Sequence, residues 1–392
     1  MELRQLHPNE YEASMKLSEY AFHFSFTPED MERGKKLFKP EQYWGIFEGE
    51  ALQAKLTLIP FQIYLQGRMI DMGGIAGVAT WPENRRKGHV ASLLKHTLKL
   101  MKNQGQTVSM LHPFSFPFYR KFGWELFTEF KRYTIPVEQF PPKIVVPGTI
   151  VRDVSDISVF NSLYQSFVKR YNGTLARDDA WWRESVLREE KFRAVYYSAS
   201  QEPQGYVLYE IHGKELTCNE FVYLNEDARS ALWTFFSNHD SRIDKVKLSM
   251  VPSDDQLPYM LPDPRIAQEI VPYFMARIVD LKSFIEQYSF EGNRENEVQF
   301  TIRVSDATAD WNSGCWKLCI KEDGKAEVTY LGDQEDILTD LSTDIQTLSA
   351  LFLGFKRPCE MNKMRRLHGD PLKVTQFESV IPNEQTLLLD HF

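Results

Sequence analysis

Residues 73–90 read GGIAGVATWPENRRKGHV, and this stretch is the most informative about the fold. The small and β-branched residues at 73–80 predict a strand, and the basic turn after Pro82 leads directly into a helix. Lys95, Lys99 and Lys102 predict the solvent face of that helix. Its apolar stripe recurs at helical spacing through Val90, Leu93, Leu94, Leu98 and Met101. The unit is therefore a strand, a basic turn and an amphipathic helix.

The start of this helix is a predicted anion site. The first N–H groups of a helix have no internal partners and lie at the positive end of its dipole. We expect the main-chain donors of Arg86, Lys87, Gly88, His89 and Val90 to hold a pyrophosphate. A basic turn alone is also typical of an ordinary solvated helix start. The small-residue strand before it favours the binding site.

A second informative segment, residues 111–124, reads LHPFSFPFYRKFGW. Tyr119 is a candidate functional residue in it, because a neutral phenol titrates near ~10 and so keeps its proton at pH 7. The alternative is a core aromatic, since phenylalanines surround it. His112 is a candidate base, although a single histidine at a strand end is more often structural.

These two segments resemble the GNAT superfamily of acetyl-CoA-dependent N-acetyltransferases, whose coenzyme loop has the form Arg/Gln-x-x-Gly-x-Gly/Ala. Arg85 to Val90 fit it, with Val90 in place of the usual small residue. Tyr119 to Trp124 fit the Tyr-x-x-x-Gly-Phe/Tyr motif of many members, which implies Tyr119 as general acid. The resemblance implies acetyl-CoA as co-substrate and no metal. The coenzyme residues that it implies are Val78, Ala79, Thr80, Arg85, Arg86, Lys87, Gly88, His89, Val90, Ala91, Phe114 and Ser115.

The whole chain predicts a mixed α+β fold in three blocks, residues 1–140, 141–285 and 286–392. Three prolines and a glycine between Phe140 and Gly148 predict the first boundary. The first block predicts a helix at Tyr11–Tyr20 and strands at Tyr43–Phe47, Leu52–Tyr64 and Met69–Thr80. The second predicts a helical region ending near Arg188, then strands at Phe192–Ser198, Gly205–Ile211 and Leu216–Tyr223, a helix at Glu226–Phe236 and a strand at Val246–Val251. Its order repeats that of the first block, which indicates a duplicated fold. The third predicts strands at Glu297–Val304, Gly314–Lys321, Lys325–Leu331 and Gln385–Leu389.

This layout resembles the enhanced-intracellular-survival (Eis) type of acetyltransferase, with tandem GNAT-like domains followed by a sterol-carrier-like domain. The resemblance implies amine acetylation of polycationic compounds such as aminoglycosides, a homohexamer, and a C-terminal carboxylate that reaches the active site as general base. Here that group belongs to Phe392. Residues 225–231 of the second block read NEDARSA, without glycine, so we expect no CoA there. Polyamine or protein-lysine acetylation and a non-catalytic CoA-binding scaffold remain alternatives, as does lipid carriage by the last domain.

Charge and composition narrow the partners. The net charge of −8 argues against a general nucleic-acid binder and suits cationic substrates. No apolar run approaches the ~20 residues that cross a bilayer, and the first residues show no secretory pattern. Four scattered cysteines predict no disulfide framework. We expect a cytoplasmic protein that binds neither nucleic acid nor membrane, with Glu29 and Asp30 as solvated acids or as contacts for a cation.

Overall fold

The structure is a computed structural model that describes residues 1–187, 192–292 and 296–392. Residues 1–127 form four helices, α1 (Tyr11–Phe22), α2 (Pro28–Leu37), α3 (His89–Asn103) and α4 (Phe116–Arg120). Their strands are β1 (Glu2–Gln5), β2 (Tyr43–Glu48), β3 (Ala51–Leu65), β4 (Arg68–Thr80), β5 (Val108–Leu111) and β6 (Glu125–Leu126). The predicted helix and three strands of this block are confirmed within a few residues.

The second region carries α5 (Ile157–Val168), α6 (Asp179–Trp181), α7 (Glu226–Ser237) and α8 (Leu257–Met260). Its strands are β7 (Glu129–Pro136), β8 (Gly148–Arg152), β9 (Tyr171–Asn172), β10 (Phe192–Ser198), β11 (Pro203–His212), β12 (Glu215–Tyr223), β13 (Lys245–Val251), β14 (Ala267–Pro272) and β15 (Met275–Ile278). The predicted strands and helix between 192 and 251 are confirmed. The predicted helix end near Arg188 lies outside the described residues.

The third region has α9 (Leu281–Gln287), α10 (Ile345–Phe352), α11 (Pro358–Lys363) and α12 (Pro371–Glu378). Its strands are β16 (Val298–Ser305), β17 (Gly314–Ile320), β18 (Ala326–Gly332), β19 (Leu341–Asp344), β20 (Leu367–Gly369) and β21 (Gln385–Thr386). The first three predicted strands are confirmed. These three strands, together with β19 and β20, form a five-stranded sheet of order β18-β17-β16-β19-β20.

Two seven-stranded sheets exchange strands. The first has the order β1-β2-β3-β4-β5-β15-β6 and the second the order β14-β7-β13-β12-β11-β10-β8. Residues 129–136 therefore lie in the second sheet, and Met275–Ile278 return to the first. The predicted limit at residue 140 does not follow this division, because the proline-rich segment joins β7 and β8 within one sheet.

A tight hairpin sets the register of the long strands β3 and β4. Its two turn residues, Gln66 and Gly67, have φ of 53° and 70°, as a twisted two-residue hairpin requires. Eleven paired positions then follow, from Leu65 with Arg68 to Ala54 with Thr80. This hairpin brings the small-residue strand to the centre of the first sheet.

The third region packs directly on the first. One apolar cluster joins Met72 and Met110 of the first sheet to Leu348 and Phe352 of α10. At the same interface Arg277 of β15 forms a fully buried ion pair with Asp306, at 2.5 Å. These interactions hold the last domain against the sheet that carries the coenzyme motifs.

Candidate functional site

Strands β4 and β5 part where the coenzyme motif begins. They pair in parallel from Met72–Val108 to Ile75–Leu111. Beyond that point β4 continues through a bulge at Gly77, whose φ is 56°, to Thr80. The edge of residues 76–80 that faces β5 is therefore open, and its main-chain groups are available to an added extended chain.

The turn between β4 and α3 is built so that the helix starts without a side-chain cap. Arg86 and Gly88 have φ of 65° and 82°, and Gly88 is the N-cap residue. No side chain caps α3, so the first N–H groups of His89, Val90 and Ala91 have no helical acceptor. This is the uncapped helix start that the sequence predicts for anion binding.

A cleft of about 620 Å³ lies between this open strand edge and the helix start. Its described lining has two arginines and no carboxylate. The buried atoms Thr80 Oγ1 and His89 Nε2 have no hydrogen-bond partner among the described residues. Both can therefore form a hydrogen bond with a molecule bound in the cleft. The predicted coenzyme residues that line it are Val78, Ala79, Thr80, Arg85, Arg86, Gly88, His89, Val90, Ala91 and Phe114.

Two predicted coenzyme residues do not line the cleft. The Lys87 Nζ donates to Asn84 Oδ1 at 2.7 Å, which keeps that side chain on the turn. Ser115 precedes α4, and its carbonyl accepts from the Tyr119 N–H at 3.3 Å. Both residues shape the local backbone; neither side chain is part of the cleft wall.

Tyr119 lies behind the aromatic wall of this cleft. Only 2% of it is exposed, and its ring packs 5.2 Å from the rings of both Phe114 and Phe118. Burial raises the pKa of Tyr119 above its ordinary value, so the hydroxyl keeps its proton at neutral pH. The packing confirms the interpretation of Tyr119 as a buried aromatic, and its role as a proton donor stays a prediction.

Gly123 of the same motif is fixed by packing. Its φ is 91°, and a Cβ there would lie 2.4 Å from Arg277 Nη1. That guanidinium donates to the carbonyl of Phe122 and pairs with Asp306. The glycine of the Tyr-x-x-x-Gly segment is therefore required by the buried arginine beneath it.

The chain terminus packs on the first sheet. The Phe392 ring lies 4.8 Å from the rings of Phe61 and Phe274, and it also fills the space above Gly74. Gly74 immediately precedes the point where β4 and β5 part. The terminal residue is thus held near the inner end of the open strand edge.

A buried polar network anchors this tail. Arg177, with no exposed side-chain surface, pairs with Asp390 at 2.8 Å and with Glu220 at 2.6 Å. Trp181 Nε1 donates to Asp390 at 2.8 Å, and the Tyr273 hydroxyl donates to the Asp390 carbonyl at 2.9 Å.

The predicted strand Gln385–Leu389 is too long: only Gln385–Thr386 is a strand. It pairs with β9 of the second region, the Leu387 N–H donates to the Asn172 carbonyl at 3.0 Å, and the three leucines that follow the strand are buried.

Sequence reasoning missed this anchor because its members are far apart in the chain.

The buried position of Lys55 was also missed. Its Nζ, buried on β3, donates to the carbonyl of Ser14 at 2.6 Å and to the hydroxyls of Ser14 and Ser18 at 2.7 Å. Burial lowers the pKa of Lys55 to about 7. It fixes α1, whose last residues, Ala21 and Phe22, line the coenzyme cleft.

His112 follows β5 at the same end of the sheet. Its ring lies 4.7 Å from that of His391 and 5.4 Å from that of Phe274. Desolvation and then the charge of His391 lower the pKa of His112 to about 4, so it is neutral at pH 7. Its surroundings favour the structural interpretation.

A larger groove of about 870 Å³ lies between the first and second regions, where residues 62–64 of β3 pair with residues 173–176. Three carboxylates and two cations line it, and Phe61 and Trp181 form part of its wall. The carboxylates belong to Asp71, Asp178 and Glu184; the cations are Lys39 and Arg177, whose charge is already paired with Glu220 and Asp390. The Phe61 and Trp181 rings are 5.2 Å apart, and both contact the tail. Glu29 and Asp30 are not in the described lining; Asp30 pairs with Arg33 and its N–H donates to Thr27.

A cleft at the point where two parallel strands part, beside an uncapped helix start with two arginines, is the arrangement expected of an acyltransferase that binds a phosphate-bearing donor. Residues 2–127 and 173–278 match two models of the acetyltransferase (GNAT) domain, and residues 281–389 match the sterol carrier protein domain. The chain belongs to the GNAT family and is an N-acetyltransferase. The predicted duplication and the sterol-carrier-like last domain are confirmed. Enzymes of this fold generally use acetyl-CoA, and the cleft chemistry fits it.

Similar proteins cover nearly the whole chain. An Enterococcus faecalis structure described as a conserved protein of unknown function, "Probable N-Acyltransferase", is 31% identical, with a TM-score of 0.93, over 100% of this chain and 99% of that one. A Streptomyces avermitilis protein named uncharacterized N-acetyltransferase is 26% identical over 80% of this chain and 79% of its own. Eis1 from Mycobacterium abscessus shares the fold, at 18% identity and a TM-score of 0.82, over 100% of each chain.

Two kinds of feature are absent from the described part of the chain. No group of three or more histidine, cysteine or acidic side chains could hold a metal ion within ranges 1–187, 192–292 and 296–392. Likewise, none of the helices that the structure describes has the length and apolar character to cross a membrane.

Proposed function

We propose that the protein transfers acetyl groups from acetyl-CoA to amines of polycationic compounds, as an Eis-type enzyme. One observation carries the proposal. The Arg177–Asp390 ion pair holds the chain terminus so that the Phe392 ring packs over Gly74 of β4, the strand whose last residues line the cleft beside α3, and against Phe61, which lines the larger groove. A donor that carries phosphates fits the cleft beside α3, and an acceptor that carries several ammonium groups fits the larger groove.

The acceptor must lose a proton during attack. An amine with a pKa near ~10 is only ~0.1% neutral at pH 7. The terminal carboxylate of Phe392, with a reference pKa near ~3.5, is ionised at pH 7 and attracts the ammonium group. It is a weak base, so it accepts the proton through a water molecule as the attacked amine becomes acidic.

The leaving side of the reaction uses the tyrosine. Acetyl-CoA supplies the acetyl group as a thioester. Tyr119 holds its proton at Oη because burial raises its pKa, and it donates that proton toward the departing thiolate. The arginines and uncapped N–H groups at the start of α3 hold the phosphates and do not change charge during transfer.

The groove proposal is tested by removing its charge. Asp71→Asn together with Asp178→Asn should raise the KM for a triamine such as spermidine, by up to about fivefold for each carboxylate, because an exposed ion pair contributes up to ~1 kcal/mol. The KM for acetyl-CoA should stay unchanged. Asp179→Asn is the matched control, since Asp179 is exposed, pairs with Arg183 and is outside the groove lining. An unchanged spermidine KM, or an equal rise in the control, would place the acceptor elsewhere.

A further inference from the structure

The second GNAT domain has its own cavity at the position of the coenzyme cleft. Strands β12 and β13 pair in parallel from Glu215–Lys245 to Cys218–Leu248 and then part, as β4 and β5 do. Helix α7 follows β12 as α3 follows β4. Between them lies a cavity of about 220 Å³, about a third of the 620 Å³ of the first domain.

This cavity is not built for a pyrophosphate. The side chain of Asn225 caps α7 by accepting from the Ala228 N–H at 2.9 Å. Glu226, in the first turn, accepts from Arg229 Nε at 2.8 Å and from its Nη2 at 2.5 Å. The capped and acidic helix start opposes phosphate binding, so the cavity suits a smaller ligand.

One donor inside the cavity lacks an acceptor. Arg229 is 7% exposed and lines the cavity, and its Nη1 atom has no partner among the described residues. A buried guanidinium N–H without an acceptor is costly. An acceptor in the cavity is therefore favoured, and a carboxylate would form a charge-assisted hydrogen bond there.

Carboxylates line another part of the same cavity. Asp254 accepts from the Tyr171 hydroxyl at 3.0 Å, and Asp255 accepts from the Leu257 N–H at 2.8 Å. Asp254 and Asp255 both lie in the lining, together with the guanidinium of Arg170. Burial raises the pKa of Asp255, against the opposing effects of its hydrogen bond from Leu257 and the charge of Lys131. An ammonium group is the ligand chemistry that such a pair prefers.

Aromatic rings complete the wall. The rings of Phe221 and Trp233 lie 5.6 Å apart, and both residues line the cavity with Tyr223. They give the same lining an apolar surface beside the charged groups.

We propose that this cavity binds a small zwitterion of the α-amino-acid class. Its carboxylate contacts Arg229, its ammonium group contacts Asp254 and Asp255, and its side chain packs on Phe221 and Trp233. The site is independent of acetyl transfer in the first domain, so either proposal can fail alone.

Calorimetry on the full chain without acetyl-CoA tests the site. The probes are glycine, alanine, leucine, phenylalanine and tryptophan, each at up to millimolar concentration. For the tightest, the analogues lacking the carboxylate or the ammonium group are titrated as well; for phenylalanine these are phenethylamine and 3-phenylpropanoate. We expect saturable binding of at least one amino acid, and at least tenfold weaker binding of both analogues.

Variants identify the residues. Arg229→Gln should weaken the amino acid at least about tenfold while changing the affinity of the amine analogue little. The double variant Asp254→Asn with Asp255→Asn should do the reverse, sparing the acid analogue. Arg265→Gln is the matched control, since Arg265 is exposed and pairs with Asp263 outside the cavity. Unchanged acetyl-CoA binding confirms that each variant is folded. No binding by any of the five amino acids, or equal binding of an analogue, would overturn the proposal.

Discussion

Extending the chain by two glycines after Phe392 moves the terminal carboxylate and leaves every side chain in place. The Phe392 ring is held between Phe61 and Phe274, at 4.8 Å from each, so it should stay docked. Each added residue displaces the carboxylate by about 3.3 Å, which exceeds the 2.5–3.0 Å (roughly) of an O–H···O hydrogen bond. Its contribution as proton acceptor should therefore disappear.

General base catalysis contributes about 10²–10⁴-fold, or ~2.7–5.5 kcal/mol of activation free energy. Thiol release from acetyl-CoA with spermidine should show a fall in kcat of that size, while the acetyl-CoA affinity and the melting temperature hold. The same two glycines added before Met1, which is 75% exposed, give the control. A kcat of the C-terminally extended enzyme close to that of the control would refute the role of the terminus.

Three other changes test separate parts of the account. Gly88→Val forces a β-branched residue to φ 82°, and with Arg85→Glu it should weaken acetyl-CoA binding in calorimetry, by about 1.5–3 kcal/mol for each hydrogen bond to phosphate that is removed. Tyr119→Phe should lower kcat by ~10²–10⁴-fold at unchanged acetyl-CoA affinity; near-normal turnover would leave it a packing residue. Lys55 has a pKa of about 7 when folded and near ~10.4 when unfolded, so the unfolded chain binds the extra proton between those values. The free energy of unfolding should thus rise by up to ~1.4 kcal/mol per pH unit there, and Lys55→Met should remove this slope in denaturant titrations.

The strand, turn and helix that form the cleft beside α3 could be predicted from the sequence because their information is local. The strand, the turn with Gly88 and the helix stripe lie within about thirty residues, and each follows from backbone conformation or periodicity. The direction of a side chain cannot be predicted in this way. The Lys87 side chain turns toward Asn84 because the Asn84 amide is buried under the turn, and residue spacing does not indicate that contact.

The tail and the domain limits could not be predicted in the same way. Asp390 and Arg177 are 213 positions apart, and an ion pair at that separation leaves no periodic signal. The segment at 140–148 has the composition of a linker, yet it joins neighbouring parts of one sheet, since β7 and β15 exchange sheets. The hexamer, the cytoplasmic location and the roles of the individual site residues stay predictions.

We propose acetyl-CoA as the donor and a polycationic amine as the acceptor. The most direct measurement is thiol release by the unmodified chain with acetyl-CoA and a panel of spermidine, an aminoglycoside and a lysine peptide, with the products identified by mass spectrometry. The account predicts saturable thiol release that requires an amine, is fastest with the polycations and yields their N-acetylated products. Tight acetyl-CoA binding without amine-dependent thiol release from any of them would contradict it.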